Sequence, residues 1–376
     1  MMKRKTLTVV LACVVAAAAM MGCSSGAASA TTAATTAAET TTASETTEAT
    51  TAAETTKAAE TETSAEVSTE APGADSSFTL RVGSLKGPTS MGLVSLMDKA
   101  DKGEAKGSYE FTMVTAADEL LAKMVGGELD VALVPANMAS ILYQKTNHGV
   151  NVIDINTLGV LYVVSADDSI QTVADLKGRT VYMTGKGTTP DYVFQYLLSA
   201  NGLTASDVTV EYKSEAAEVA AVLKEQEGAI GLLPQPFVTV AMAQNDSLKM
   251  VLDLTKEWEA VQSEAGGSLV TGVTVCRSDL FADPAGAEAI DIFLAEHKAS
   301  AAFAADNVEE TANLVAAAGI IEKAPVAAKA IPYCSITFVD GEMMKAMLDG
   351  YLTVLYDQDP ASVGGTLPDK AFYYIP

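Results

Sequence analysis

An α/β protein of two lobes, each a parallel-type sheet flanked by helices, is the fold class this sequence predicts. Three observations predict it. Roughly 300 residues run from Phe78 to Pro376 after a low-complexity segment, about the length at which one hydrophobic core stops growing and chains divide. Short β-rich runs alternate with helical stretches along those residues, the rhythm of βα units. Two kinds of strand-to-helix junction, one glycine-rich and one carrying proline, occur once in each half of that stretch.

Phe78-Thr79-Leu80-Arg81-Val82 reads as the first strand, and Met91 to Ala100 as a helix with Met91, Val94 and Met97 at three-residue spacing. Val131 to Val134, Val152 to Ile155, Thr180 to Met183 and Ile230 to Leu233 follow as short apolar strands, each ending in turn residues or a helical segment.

The start of the chain has a different character. Met1-Met2-Lys3-Arg4-Lys5 is cationic, Thr6 to Met21 is almost wholly apolar, and Gly22-Cys23-Ser24-Ser25-Gly26 follows. The apolar run is shorter than the roughly 20 residues that span a bilayer, so residues 1–22 are expected to be a signal peptide. Cys23 is then the new N-terminus and the expected lipidation site, with more than one acyl chain needed for firm anchoring. Residues 23–77 carry this cysteine and a stretch of Ala, Thr, Ser and Glu with a lone Lys57. With so little to bury, this stretch is expected to be a disordered tether, and its hydroxyls are open to O-glycosylation. The expected location is extracytoplasmic, held to the cell membrane by lipid.

The formal charge of −24 resides partly in the tether and argues against nucleic acid as a partner. Two histidines, His148 and His297, are too few for a histidine-rich metal site. No metal and no cofactor is expected. Cys13 leaves with the signal peptide, and Cys276 and Cys334 are either free or joined in one bridge.

In open α/β sheets, ligands bind beyond the carboxyl ends of strands. The glycine-rich junctions are Gly83-Ser84-Leu85-Lys86-Gly87-Pro88-Thr89-Ser90 and Thr184-Gly185-Lys186-Gly187-Thr188-Thr189-Pro190. Each supplies tight turns, a lysine, hydroxyls and a helix start, features that favour an anion or a strong acceptor. A P-loop is excluded because Gly-x-x-x-x-Gly-Lys-Ser/Thr is absent. The proline junctions are Leu133-Val134-Pro135-Ala136-Asn137-Met138-Ala139 and Leu232-Leu233-Pro234-Gln235-Pro236-Phe237-Val238. Trp258 and both histidines read as packing or surface residues, and Asp98, Asp118, Glu119 and Asp130 as a solvated surface.

Val173-Ala174-Asp175-Leu176-Lys177-Gly178-Arg179-Thr180-Val181, the loop that follows it, and Tyr192 to Leu203 resemble the periplasmic substrate-binding proteins of the nitrate, sulfonate, taurine and thiamine-precursor group. Met124 to Ala132 resembles their segment in which a helix leads into Gly-x-x-Asp-x-Ala, and Thr271 to Arg277 their returning strand. The resemblance covers nearly all of residues 78–376.

It implies a type II periplasmic-binding-protein-like fold, with a first lobe at 78–164, a second at 165–267, and a return to the first, with C-terminal helices, at 268–376. Two crossing segments would act as a hinge, near Leu161 to Val164 and near Ser268 to Val275. The cleft loops map onto Lys86, Gly87, Pro88, Thr89, Ser90, Pro135, Ala136, Asn137, Gly185, Lys186, Gly187, Thr188, Thr189, Gln235 and Pro236. At Gln235 relatives often have Glu, so a small anionic or neutral polar ligand is expected rather than a cation. The implied partners are that ligand and the permease and ATPase of an ABC importer, the protein itself being a monomer and not an enzyme. A sensor or surface receptor of the same fold, and an enzyme like the thiamine-pyrimidine synthases, are the alternatives.

Overall fold

Val131-Ala132-Leu133-Val134 offers water no polar side chain, and a strand of this kind must be covered on both faces. It is: all four residues are buried. The computed structural model describes residues 78–262 and 267–376, and the expected signal peptide, Cys23 and tether lie outside the described residues. Among the described residues no helix is long and apolar enough to cross a membrane.

The strands are β1 (Thr79–Leu85), β2 (Ser108–Val114), β3 (Val131–Pro135), β4 (Val150–Leu158), β5 (Leu161–Ser165), β6 (Thr180–Met183), β7 (Thr209–Tyr212), β8 (Ile230–Pro234), β9 (Lys249–Asp253), β10 (Val270–Arg277) and β11 (Ile336–Val339). They form a six-stranded sheet in the order β11-β4-β10-β3-β1-β2 and a five-stranded sheet in the order β7-β6-β8-β5-β9. In the first sheet β1 runs parallel to β2 and β3, and in the second β6 runs parallel to β7 and β8. Beside β3 in the first sheet and beside β8 in the second lies an antiparallel strand arriving from the other sheet, β10 and β5 respectively. Both sheets are therefore mixed, each with three strands in the expected parallel βα units.

The helices are α1 (Pro88–Met91), α2 (Val94–Asp101), α3 (Ala117–Val125), α4 (Ala136–Lys145), α5 (Thr189–Ala200), α6 (Ala216–Glu225), α7 (Phe237–Gln244), α8 (Leu254–Val261), α9 (Pro284–Asp306), α10 (Val308–Ala317), α11 (Ala324–Ala330) and α12 (Gly341–Gln358). The single helix expected from Met91 to Ala100 is divided at Gly92 and Leu93 into α1 and α2.

The chain passes between the sheets twice. It leaves β4 through Gly159 and Val160, just ahead of the expected segment, because Gly159 tolerates its φ of 59°. Val160 follows at φ 70°, an outlier for a β-branched residue. It is held there by full burial and by its carbonyl, which accepts from Gln235 N at 2.9 Å. The return into β10 lies alongside: Gly159 N donates to Leu269 O at 2.9 Å, and Thr271 Oγ1 donates to Gly159 O at 2.5 Å.

One core cluster is shared between the two halves. On α12, Met344, Leu348, Tyr351, Leu352 and Leu355 make a buried stripe at helical spacing. Tyr351 packs on Trp258 of α8, with ring centroids 5.5 Å apart, and Trp258 packs on Tyr196 of α5 at 4.9 Å. Trp258 is thus a fully buried packing residue, its indole N-H donating to Gly267 O at 3.2 Å. His297 is also buried, its Nδ1 3.2 Å from Asp154 Oδ2, whereas His148 is exposed and stacks on Tyr143. Cys276 and Cys334 are both buried and free, in separate apolar clusters.

Asp130 corrects the surface expectation. It is 2% exposed, at the strand ends opposite those that carry the candidate junctions. Arg81 reaches it with Nη2 to Oδ1 at 2.6 Å and Nε to Oδ2 at 2.8 Å, and Arg277 Nη1 adds a third contact at 3.1 Å. The side chain was legible as a charge but not as buried, because both arginines come from strands distant in sequence. Asp130→Asn should lower stability by about 2–4 kcal/mol, since it leaves two arginines facing a neutral amide. The denaturant midpoint measures this, and an unchanged midpoint would show that the carboxylate does not hold β1, β3 and β10 together.

Candidate ligand cleft

The carboxyl ends of the parallel strands in the two sheets face one cleft of about 690 Å³. Three junctions from each sheet line it: those after β1, β2 and β3 on one side, and after β6, β7 and β8 on the other. The amino ends of α3, α5, α6 and α7 open onto it through Ala117, Thr189, Ala216 and Phe237. First-turn N-H groups of a helix have no intrahelical acceptor, so these ends present donors to whatever occupies the space.

In the first sheet, Lys86, Gly87, Pro88, Thr89 and Pro135 line the cleft, and in the second Gly185, Lys186, Thr188 and Thr189 do. Ser90, Ala136, Asn137, Gly187, Gln235 and Pro236 do not. Ser90 is buried, its hydroxyl donating to Leu85 O at 2.5 Å. Gln235 is fully buried with its Oε1 accepting from Thr239 Oγ1 at 2.9 Å, and its Nε2 lies 3.9 Å from Met250 Sδ. The Glu-to-Gln difference therefore does not change the charge of the cleft wall.

Asn137 acts behind that wall. Its Nδ2 donates to Gly187 O at 3.3 Å and to Ser362 O at 3.1 Å, and its Oδ1 accepts from Thr189 Oγ1 at 3.3 Å. The proline junction of one sheet is thereby bonded to the glycine junction of the other. Gly185 permits the turn, with φ 78° and no room for a Cβ, which would stand 2.6 Å from Thr188 Oγ1. Thr188 Oγ1 donates to Gly185 O at 2.6 Å, and Thr89 Oγ1 to Leu85 O at 3.1 Å. The hydroxyl protons of Thr89, Thr188 and Thr189 are thus committed within the fold, and the cleft keeps as donors its helix-start N-H groups, its lysines and the hydroxyls of Thr115, Thr184 and Ser214.

Six charged residues reach the cleft: Lys86, Lys186 and Lys323, and Asp118, Glu215 and Glu322. All six are exposed. Among the described residues none of them forms a salt bridge, while Lys186 Nζ sits 5.4 Å from the centre of the Tyr212 ring. Three charges of each sign balance at the mouth, so the acidity of the whole chain is not a property of the cleft.

Sequence reasoning missed the third pair of junctions, Thr115 to Asp118 and Ser214 to Ala217. A usable signal was present: Thr115 precedes Asp118 by three residues, and Ser214 precedes Glu218 by four, each ahead of an apolar run. Ser214 N indeed donates to Glu218 Oε2 at 3.0 Å. It also missed Val240 and Ile320 to Lys323, which no local pattern places at a cleft, whereas Phe237 of the second proline junction does border it.

Asn137→Ala should lower stability by about 1–3 kcal/mol, because the carbonyls of Gly187 and Ser362 lose a buried donor. Lys86→Ala, at an exposed position, should stay within about 0.5 kcal/mol of the parent. Equal denaturant midpoints for the two variants would mean that Asn137 does not brace the junctions.

Residues 104–257 match the family model described as the ABC transporter, phosphonate, periplasmic substrate-binding protein. No curated protein matches in sequence. Among solved structures, an ABC transporter from Parabacteroides distasonis superposes with a TM-score of 0.65 at 22% identity, covering 79% of this chain and 98% of that one. The periplasmic aliphatic sulphonate binding protein SsuA of Escherichia coli gives 0.62 at 18% identity, over 79% and 92%. The alkanesulfonate-binding protein SsuA of Xanthomonas axonopodis pv. citri, bound to MOPS, gives 0.59 at 15%, over 77% and 94%. These likenesses are ones of fold. The chain has the periplasmic-binding-protein fold, and the stretch similar to the phosphonate-binding family model, residues 104–257, lies within it.

Proposed function

We propose that this chain is an extracytoplasmic solute-binding lipoprotein, anchored through Cys23, that captures a small polar ligand and delivers it to the permease and ATPase of an ABC importer. The carrying observation is the cleft between the two sheets, built from three strand-to-helix junctions on each side. Helix starts and the lysines Lys86 and Lys186 suit an oxyanion or a neutral acceptor, and the family match over residues 104–257 supports the transport role.

A ligand that binds only the folded state raises stability by about 2.7 kcal/mol at a hundred times its dissociation constant. Thermal denaturation with sulfonates, phosphonates, nitrate, bicarbonate and aminopyrimidines should therefore show a concentration-dependent rise for an anionic or neutral compound. The rise should shrink in a Lys86→Ala, Lys186→Ala double variant. Stabilisation by cationic amines alone would overturn the reading. For the anchor, Cys23→Ser should move the protein from the membrane fraction to the soluble fraction, and retention in the membrane would refute lipidation at this residue.

A further inference from the structure

We propose that Asp191 is a positioning residue of the cleft: its carboxylate shapes the glycine turn after β6 and, through Tyr212, sets where Lys186 holds its charge. The proposal rests on the reading of this cleft as the ligand site.

Asp191 is the third residue of α5 and is buried, at 8% exposure. A carboxylate at that position commonly reaches back to the N-H of the capping residue. That N-H is engaged elsewhere, since Thr188 N donates to Gly185 O at 2.9 Å. Each carboxylate oxygen of Asp191 instead serves a different segment. Oδ2 accepts from Gly187 N at 2.8 Å, and Oδ1 accepts from the Tyr212 hydroxyl at 2.7 Å. Bonds to a carboxylate are the stronger kind.

Tyr212 closes β7, and the junction that follows reaches the cleft from Ser214 onward. One buried side chain thus joins the junction after β6 to the junction after β7. Burial and the Asp191 carboxylate also hold the Tyr212 phenol well above its ordinary value, so it remains a proton donor. Gly187 is held at both its backbone polar groups, its N-H by Asp191 and its carbonyl by Asn137 of the other sheet's junction.

The ring of Tyr212 carries the consequence to the cleft. Lys186 Nζ lies 5.4 Å from its centre, within the range of a cation–π contact. An exposed lysine otherwise spreads its charge over the many rotamers of a four-carbon stem. Among the described residues Lys86 and Lys323, the other lysines at the cleft, have no aromatic ring beneath them. Lys186 stands in the turn between Gly185 and Gly187, so the same carboxylate fixes the root of this side chain and the seat of its tip.

Asparagine offers a single acceptor oxygen, so Asp191→Asn must give up either the turn or the tyrosine. The readout is the side-chain methylene signal of Lys186 in NMR spectra of the whole protein labelled at lysine, assigned by its loss in Lys186→Ala. In the parent the Tyr212 ring shifts this signal upfield, and Tyr212→Leu marks its position without the ring. Asp191→Asn should move the signal towards that position. Tyr212→Phe, which keeps the ring and loses only its anchor, should move it part of the way and decides the matter if Asp191→Asn folds poorly. A signal that stays at the parent position in these variants would overturn the proposal. Calorimetric titration with methanesulfonate and methylphosphonate reads the effect on binding. Asp191→Asn should weaken a probe that the parent binds by roughly fivefold, the worth of one solvated charge at contact distance. Adding Lys186→Ala should then cost little more, because the two residues act as one unit. Parent affinity in Asp191→Asn, or costs that simply add, would also overturn the proposal. A parent that binds neither probe would count against the cleft as an oxyanion site, and the lysine signal would still decide the role of Asp191.

Discussion

Everything in this molecule hangs on the place where two chain segments pass side by side between the sheets. Gly159 and Val160 leave the first sheet while Leu269 and Thr271 return to it, and hydrogen bonds from Gly159 N and Thr271 Oγ1 join them. Gln235 N, bonded to Val160 O, attaches the end of β8 to the same point. A backbone polar group buried in a crossing must be paired internally, and here each of these is paired across segments far apart in sequence. The strained φ of Val160 is tolerable because the surroundings fix it from several directions.

From that crossing the cleft follows as geometry. Because β10 and β5 each enter the opposite sheet antiparallel to its βα units, the carboxyl ends of β1, β2, β3, β6, β7 and β8 are turned toward a common space. Helix starts then line that space without any special sequence at each one. Asn137 and the α12 stripe secure the arrangement from behind, the first by polar contacts between junctions and the second by apolar packing against α5 and α8.

Local pattern carried much of this. The strand at Thr180 to Met183 is found as read, and those at Val131 and Ile230 extend one residue further, to Pro135 and Pro234. The glycine junctions were legible because their residue types have few other uses in a tight turn before a helix. What was not legible depended on distance along the chain. Asp130 looks like any carboxylate after a helix until Arg81 and Arg277 arrive from other strands. Asn137 and Gln235 sit at sequence positions suited to a cleft, but burial and partners turn both side chains into the protein. The wall containing Ile320 and Ile321 is contributed by a segment that the fold returns to the cleft from more than eighty residues after β8, and nothing at those isoleucines announces it.

The two cysteines of the described residues, Cys276 and Cys334, bear on how the folded chain meets oxidants. Thiol–disulfide exchange is carried by the thiolate. Burial pushes the Cys276 thiol well above its ordinary value and the Cys334 thiol up to about 12. The folded protein consequently offers oxidants and mixed disulfides almost no nucleophilic sulfur at these two positions. Reaction at either sulfur therefore requires the apolar cluster around it to open first.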